Sequence, residues 1–177
     1  MKASELQHGD VLLYDWRSHA SLTTQGIHLI TGNQNTHCSV VQNIDGILFV
    51  LEQLDERTHS FLPFYYAFEG ETIQCMRPKF SVPPAVQDNF TRNPYGYWCI
   101  ADAMLNHFIG LFSNRPYKPR IVNLVGSKNI DCSVLVGKAL NLQEVCDWCY
   151  DVSILEPDDY TKHPESFDDM GIVDWSS

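Results

Sequence analysis

The sequence predicts an α+β fold, a mostly antiparallel sheet packed against helices, and three observations carry that prediction. Short apolar runs bounded by turn residues crowd residues 11–54, and a hairpin signal separates two of them. Residues 97–112 and 131–140 instead repeat their apolar side chains at helical spacing. No repeat, low-complexity tract or linker divides the 177 residues, so one domain over 1–177 is expected. A chain of that length buries roughly 70% of its unfolded-state surface.

Taken in order, residues 6–10 (Leu-Gln-His-Gly-Asp) form a turn that feeds a strand at 11–14. Residues 18–30 read as a helix stopped at Gly32. Two strands follow at 37–42 and 47–54. The intervening Asn43-Ile44-Asp45-Gly46 suits a tight reversal, because Asp-Gly tolerates positive φ. Residues 61–68 are rich in aromatics, 72–77 read as a further strand, and the prolines of 78–84 break regular structure. A helix at 97–112, a loop at 114–119 and a helix at 131–140 complete the order. From about 156 the chain is acidic, with seven carboxylates against Lys162, and reads as a solvated, loosely docked tail. Phe167 and Trp175 are its apolar anchors.

The net charge of −10 argues against a nucleic-acid partner, since phosphate binding relies on clustered Lys and Arg. No run approaches the ~20 apolar residues of a membrane span, and the first residues lack the long apolar stretch of a secretory leader. A soluble, cytoplasmic protein without a transmembrane segment is expected. Six cysteines, at 38, 75, 99, 132, 146 and 149, match no small secreted framework and read as reduced, mostly core-filling thiols.

One of the six stands apart. Asp131-Cys132-Ser133-Val134-Leu135-Val136 places a thiol in the first turn of a helix. Unpaired backbone N–H groups and the positive end of the dipole favour a thiolate there. The same amides suit the oxyanion of a tetrahedral intermediate. Such a nucleophile needs a base, usually His, and a third group to orient it.

These residues resemble the nucleophile motif Asp-Cys-Ser-Gly-Leu-Val of the NlpC-type cysteine peptidases, whose fold is papain-like. A circularly permuted branch of that family carries its His before its Cys, and the order here is similar to that branch. Gly9-Asp10-Val11-Leu12 resembles the opening turn and strand, and Thr36-His37-Cys38-Ser39-Val40 resembles the His strand. Leu51-Glu52 is similar to the acidic position of the next strand, and Pro94-Tyr95-Gly96-Tyr97 to the segment before the Cys region. The resemblance covers about residues 6–140. Val134 departs from the motif's Gly, and the Cys comes later after Tyr97 than the family pattern implies, so Cys99 competes as nucleophile.

The resemblance implies Cys132 as nucleophile, His37 as base and Glu52 as the group that orients it. Strand parity agrees on the last point. A four-residue loop at 43–46 pairs His37 directly with Glu52, whereas a two-residue loop at Asp45-Gly46 leaves them diagonal on one face. Gln53 faces the other way in both registers. Tyr14 is a candidate oxyanion donor or else a core aromatic. His8, His19, His28, His59, His107 and His163 read as surface or packing residues.

Cys146-Asp147-Trp148-Cys149 has the spacing of zinc and redox sites but no second ligand pair, and reads as structural. No metal or organic cofactor is implied. The expected reaction is cleavage of an amide or peptide bond through a thioester, with a peptide-like or acyl substrate as partner. The alternatives are a lipid acyl hydrolase or acyltransferase on the same fold, or a non-catalytic binding protein.

Overall fold

Gly9 and Asp10 set the start of the first strand in the computed structural model. Gly9 takes φ +92°, and a Cβ there would lie 2.5 Å from Val82, so glycine is required on two counts. The turn it makes is clamped from both sides. Gly9 N–H donates to Val41 O (2.7 Å), and Val41 N–H donates to Asp10 O (2.8 Å). The fully buried Asp10 carboxylate accepts two hydrogen bonds from Arg77, from Nε and Nη2 at 2.8 Å each. It also accepts the Gln7 N–H at 2.8 Å. A buried charge with these partners is compensated, whereas an unpaired one is not tolerated.

The structure describes residues 1–17, 25, 28, 29, 32–54, 57–61, 71–84, 132–152 and 155–176. Strands β1 (Val11–Asp15), β2 (Asn35–Ile44), β3 (Ile47–Leu54), β4 (Arg57–Phe61), β5 (Ile73–Pro78) and β6 (Phe167–Ile172) form one sheet in the order β4-β3-β2-β1-β5-β6. Every neighbouring pair is antiparallel. Helices α1 (Cys132–Ala139), α2 (Leu142–Val145) and α3 (Asp159–Lys162) complete the described elements. Among the described residues no helix is long and apolar enough to cross a membrane.

β1 lies inside the sheet, and all five of its residues are buried. Its unbroken apolar run follows from cover on both faces. On one face Val11, Leu13, Cys38, Val40, Leu51 and Met76 pack against α1 and the residues after it. On the other, Leu12, Tyr14, Val41, Val50, Ile73 and Cys75 pack with Ala3, Leu6 and Val173. α1 packs on β2 and β3.

The β2–β3 hairpin has the shorter of the two expected loops. Ile44 pairs with Ile47, leaving Asp45 (φ +52°) and Gly46 (φ +85°) as the turn. Positive φ at both central residues is the turn type whose twist matches the flanking strands. The helix expected to stop at Gly32 is helical at 25, 28 and 29. Gly32, at φ +72°, donates its N–H to His28 O at 2.8 Å. The aromatic stretch after Phe61, the helix expected at 97–112 with Cys99, the loop at 114–119 and Asp131 lie outside the described residues.

The acidic segment from 156 corrects the expectation of a loosely docked tail. It carries α3 and the edge strand β6, and its Tyr160 and Phe167 are fully buried. Its carboxylates have specific partners. Asp158 accepts the backbone N–H groups of Gln34 (2.8 Å) and Asn35 (2.9 Å). Glu156 accepts Asn33 Nδ2 at 2.6 Å, and Asp169 accepts Gln74 Nε2 at 2.9 Å. Asp168 pairs with Lys79 at 3.0 Å. Charges on an edge strand keep its free side from pairing with another chain, which is why so acidic a run still belongs to the sheet.

Candidate active site

β2 brings His37 and Cys38 to the site on alternate sides of one strand. Its register with β3 runs from Ile44↔Ile47 to Val40↔Leu51, and its N-terminal half continues beyond that ladder while still paired to β1. Extending the register sets Glu52 opposite Ser39, so Glu52 lies diagonal to His37 on the same face. The diagonal contact forms. His37 Nε2 lies 2.9 Å from Glu52 Oε2, and both side chains are almost wholly buried. Tyr14 pairs with His37 across β1, and the two rings lie 5.0 Å apart at 51°.

Cys132 is the first residue of α1 and is 5% exposed. Its sulfur lies 4.0 Å from Ser133 Oγ, and the Cys38 thiol, the His37 ring and the Cys38 backbone N–H of β2 all act on it to favour the thiolate. With Nε2 held by Glu52, Nδ1 is the ring nitrogen left to face the sulfur. Sulfur, imidazole and carboxylate therefore stand in a row across α1, β2 and β3. The sequence residues Cys132, His37 and Glu52 are brought together, while Gln53 is fully buried and, by alternation, points to the opposite face from Glu52.

The charges of this row reinforce one another. The hydrogen bond from the Cys38 thiol, the positive His37 ring and the Cys38 N–H hold the Cys132 thiol well below its usual range against the opposing effect of burial. The start of a helix acts in the same direction. Burial works against a charged His37. The Cys132 thiolate and the hydrogen bond to it, followed by Glu52, outweigh burial and raise the ring from 6.5 to about 10. Thiolate and imidazolium form a coupled pair, so their titration belongs to the pair.

Tyr14 stands beside the His37 ring on the neighbouring strand. Its hydroxyl lies 2.9 Å from Ser39 Oγ, fully buried, and burial together with the Glu52 charge raises it well above the ordinary phenol value. It stays a neutral ring packed on the imidazole. Two residues that the sequence did not single out complete the site. Tyr160 donates its hydroxyl to Ser133 O at 3.0 Å and so fixes the first turn of α1 from α3. Cys38 adjoins the Cys132 sulfur, and its thiol and N–H both lower that thiol's pKa. The one sequence signal for Cys38 was its position next to His37; alternation puts it on the other face of β2, the one packed against α1.

Cys146 and Cys149 are buried free thiols in the cluster beneath α1. Burial raises both thiols, Cys149 to about 12. Cys146 Sγ and Trp148 Nε1 both meet Ser166 Oγ, at 3.7 and 2.9 Å, and Trp148 stacks on His163 at 3.9 Å. The pair fills the core. Cys75 is likewise driven up by burial and by the neighbouring Asp10 charge. Cys132 is thus held down where Cys75, Cys146 and Cys149 are pushed up.

No family model matches the chain, and no curated protein matches it. Among solved structures, the crystal structure of metalloprotein yiiX from Escherichia coli O157:H7 (DUF1105) is similar with a TM-score of 0.43 at 14% identity. The match covers 79% of this chain and 66% of that one.

Proposed function

We propose that the chain is a cysteine hydrolase of the permuted NlpC type, papain-like in fold, that cleaves an amide or peptide bond through a thioester. The observation that carries this reading is the buried row of Cys132, His37 and Glu52, with the His37 ring between a thiol and a carboxylate 2.9 Å from Nε2. A core histidine has no need of both partners, whereas a nucleophile, base and orienting group do.

Cys132 Sγ attacks the substrate carbonyl as a thiolate, forming the C–S bond. Backbone amides at the start of α1 hold the oxyanion. The His37 imidazolium gives its proton to the departing amine, and the C–N bond breaks. In the second half His37 takes a proton from water, which attacks the thioester, and the sulfur leaves as thiolate. Glu52 keeps the ring oriented and stabilises its positive form throughout.

The test pairs labelling with turnover. Limiting iodoacetamide at neutral pH, followed by peptide mass mapping, should mark Cys132 well before Cys38, Cys75, Cys146 or Cys149. Turnover of a set of peptide amides should vanish in Cys132→Ala. Labelling of Cys99 first would move the nucleophile there. Selective labelling of Cys132 with turnover of thioesters or lipid esters alone would assign the site to acyl lipids instead.

A further inference from the structure

We propose that Cys38 and Cys132 together form a peroxide-modification site, in which oxidation of the nucleophile is captured as a Cys38–Cys132 disulfide. The inference rests on the reading of Cys132 as the reactive thiolate of the site and adds a second function to the same strand. Its geometric basis is the position of the two sulfurs. Cys38 Sγ lies 3.8 Å from Ser133 Oγ, and Cys132 Sγ lies 4.0 Å from that same oxygen. The Cys38 thiol donates to Ser133 Oγ, the oxygen that the Cys132 sulfur also meets, and the Cys38 thiol and N–H both help hold the Cys132 thiol down. Both cysteines are buried in one cluster, and no disulfide joins them.

Hydrolysis does not explain a thiol at position 38. The backbone N–H there would be supplied by any residue except proline, and a serine would supply the side-chain donor. What sulfur adds is a second redox-active atom beside a thiolate. Both sulfurs lie within 4.0 Å of one oxygen, so closing a disulfide to about 2 Å calls on no partner beyond this pair.

The reaction balances in two steps. The Cys132 thiolate attacks a peroxide oxygen, so an S–O bond forms and the O–O bond breaks. The departing hydroxide takes a proton from His37, leaving water and a sulfenic acid, with sulfur oxidised by two electrons and the peroxide reduced. The Cys38 sulfur then attacks Cys132 Sγ. The S–S bond forms, the S–O bond breaks, and the hydroxyl leaves as water with the Cys38 proton. Two thiols and one peroxide thus yield one disulfide and two waters. Capture protects the nucleophile, because an uncaptured sulfenic acid passes on to the irreversible sulfinic acid.

The experiment treats the full reduced chain, freed of reductant, with hydrogen peroxide, blocks remaining thiols and maps peptides without reduction. A linked Cys38–Cys132 peptide is expected, with labelling lost at both positions and regained on adding dithiothreitol. In Cys38→Ser the same treatment should carry Cys132 to sulfinic acid, and dithiothreitol should recover none of its labelling. Cys38→Ala, checked by circular dichroism, serves as a second variant should serine disturb the packing. Irreversible loss of wild-type Cys132 without a linked peptide would overturn the proposal, as would linkage of Cys132 to any other cysteine. Substrate turnover by the reduced protein separates the two claims. Turnover without the disulfide refutes the modification site alone, and the disulfide without turnover supports it while refuting the hydrolase.

Discussion

Replacing His37 with alanine is expected to lower hydrolysis by about two to four orders of magnitude, the range typical for losing a positioned general acid–base group. The magnitude follows from the two jobs the ring holds in one buried position. It faces the Cys132 sulfur on one side, and Glu52 engages its Nε2 at 2.9 Å on the other. Without it the leaving amine has no proton source, and the thiolate loses its cation. The fold should survive. His37 sits on an interior strand whose ladder with β1 depends on backbone groups, and Tyr14 keeps its hydroxyl bond to Ser39. The check is the initial rate on the best amide of the set, with circular dichroism to confirm the fold. A rate within a few-fold of wild type would remove His37 from the chemistry.

Glu52→Gln is expected to be milder. The carboxylate is 5% exposed and pairs with His37 across the diagonal of β2 and β3. A glutamine keeps its length and can still accept from Nε2 through its carbonyl oxygen, so orientation is partly retained. What it removes is the negative charge that favours the imidazolium. A hydrogen bond to a charged group is worth about 1.5–3 kcal/mol, which corresponds to a loss of roughly 10- to 100-fold in rate. The loss should be smaller than in His37→Ala. It should also change the pH dependence, because the ring in the variant gives up its proton at lower pH than in wild type, where Glu52 helps hold it. A glutamine variant with the wild-type rate and pH profile would leave Glu52 a structural rim residue.

The parts of the site that were legible in the sequence are those fixed by local rules. Both loop lengths open to residues 43–46 carry Glu52 to the face of His37, and the structure takes the two-residue turn at Asp45-Gly46. The bounds of β3 follow from the same turn. The start of α1 at Cys132 was visible in apolar spacing. Other features depend on tertiary context. β6 reads as an acidic tail because its carboxylates find partners far away along the chain, as Gln74 to Asp169 and Lys79 to Asp168 show. α3 is four residues long and is held by Tyr160 reaching Ser133, which no local pattern announces. Cys38 falls on the face opposite His37 by strand alternation. That is the face on which α1 packs, so Cys38 meets Cys132 directly.

The central claim is that the Cys132 thiolate and the His37 imidazolium form one ion pair. The pH dependence of Cys132 alkylation tests it most directly. The thiolate is the species that reacts, and a free thiol ionises near ~8.5. In the folded chain His37⁺ and the Cys38 donors hold the thiol well below its usual range, so wild-type Cys132 should stay reactive on the acidic side of neutrality. In His37→Ala the Cys38 bonds and the helix start remain but the cation is gone, so the midpoint should move up toward the free-thiol value. Rates of iodoacetamide labelling at Cys132, followed from acidic to alkaline pH in both proteins, give the two curves. A midpoint shifted upward in the variant is the result this account predicts, and superimposable curves would contradict it.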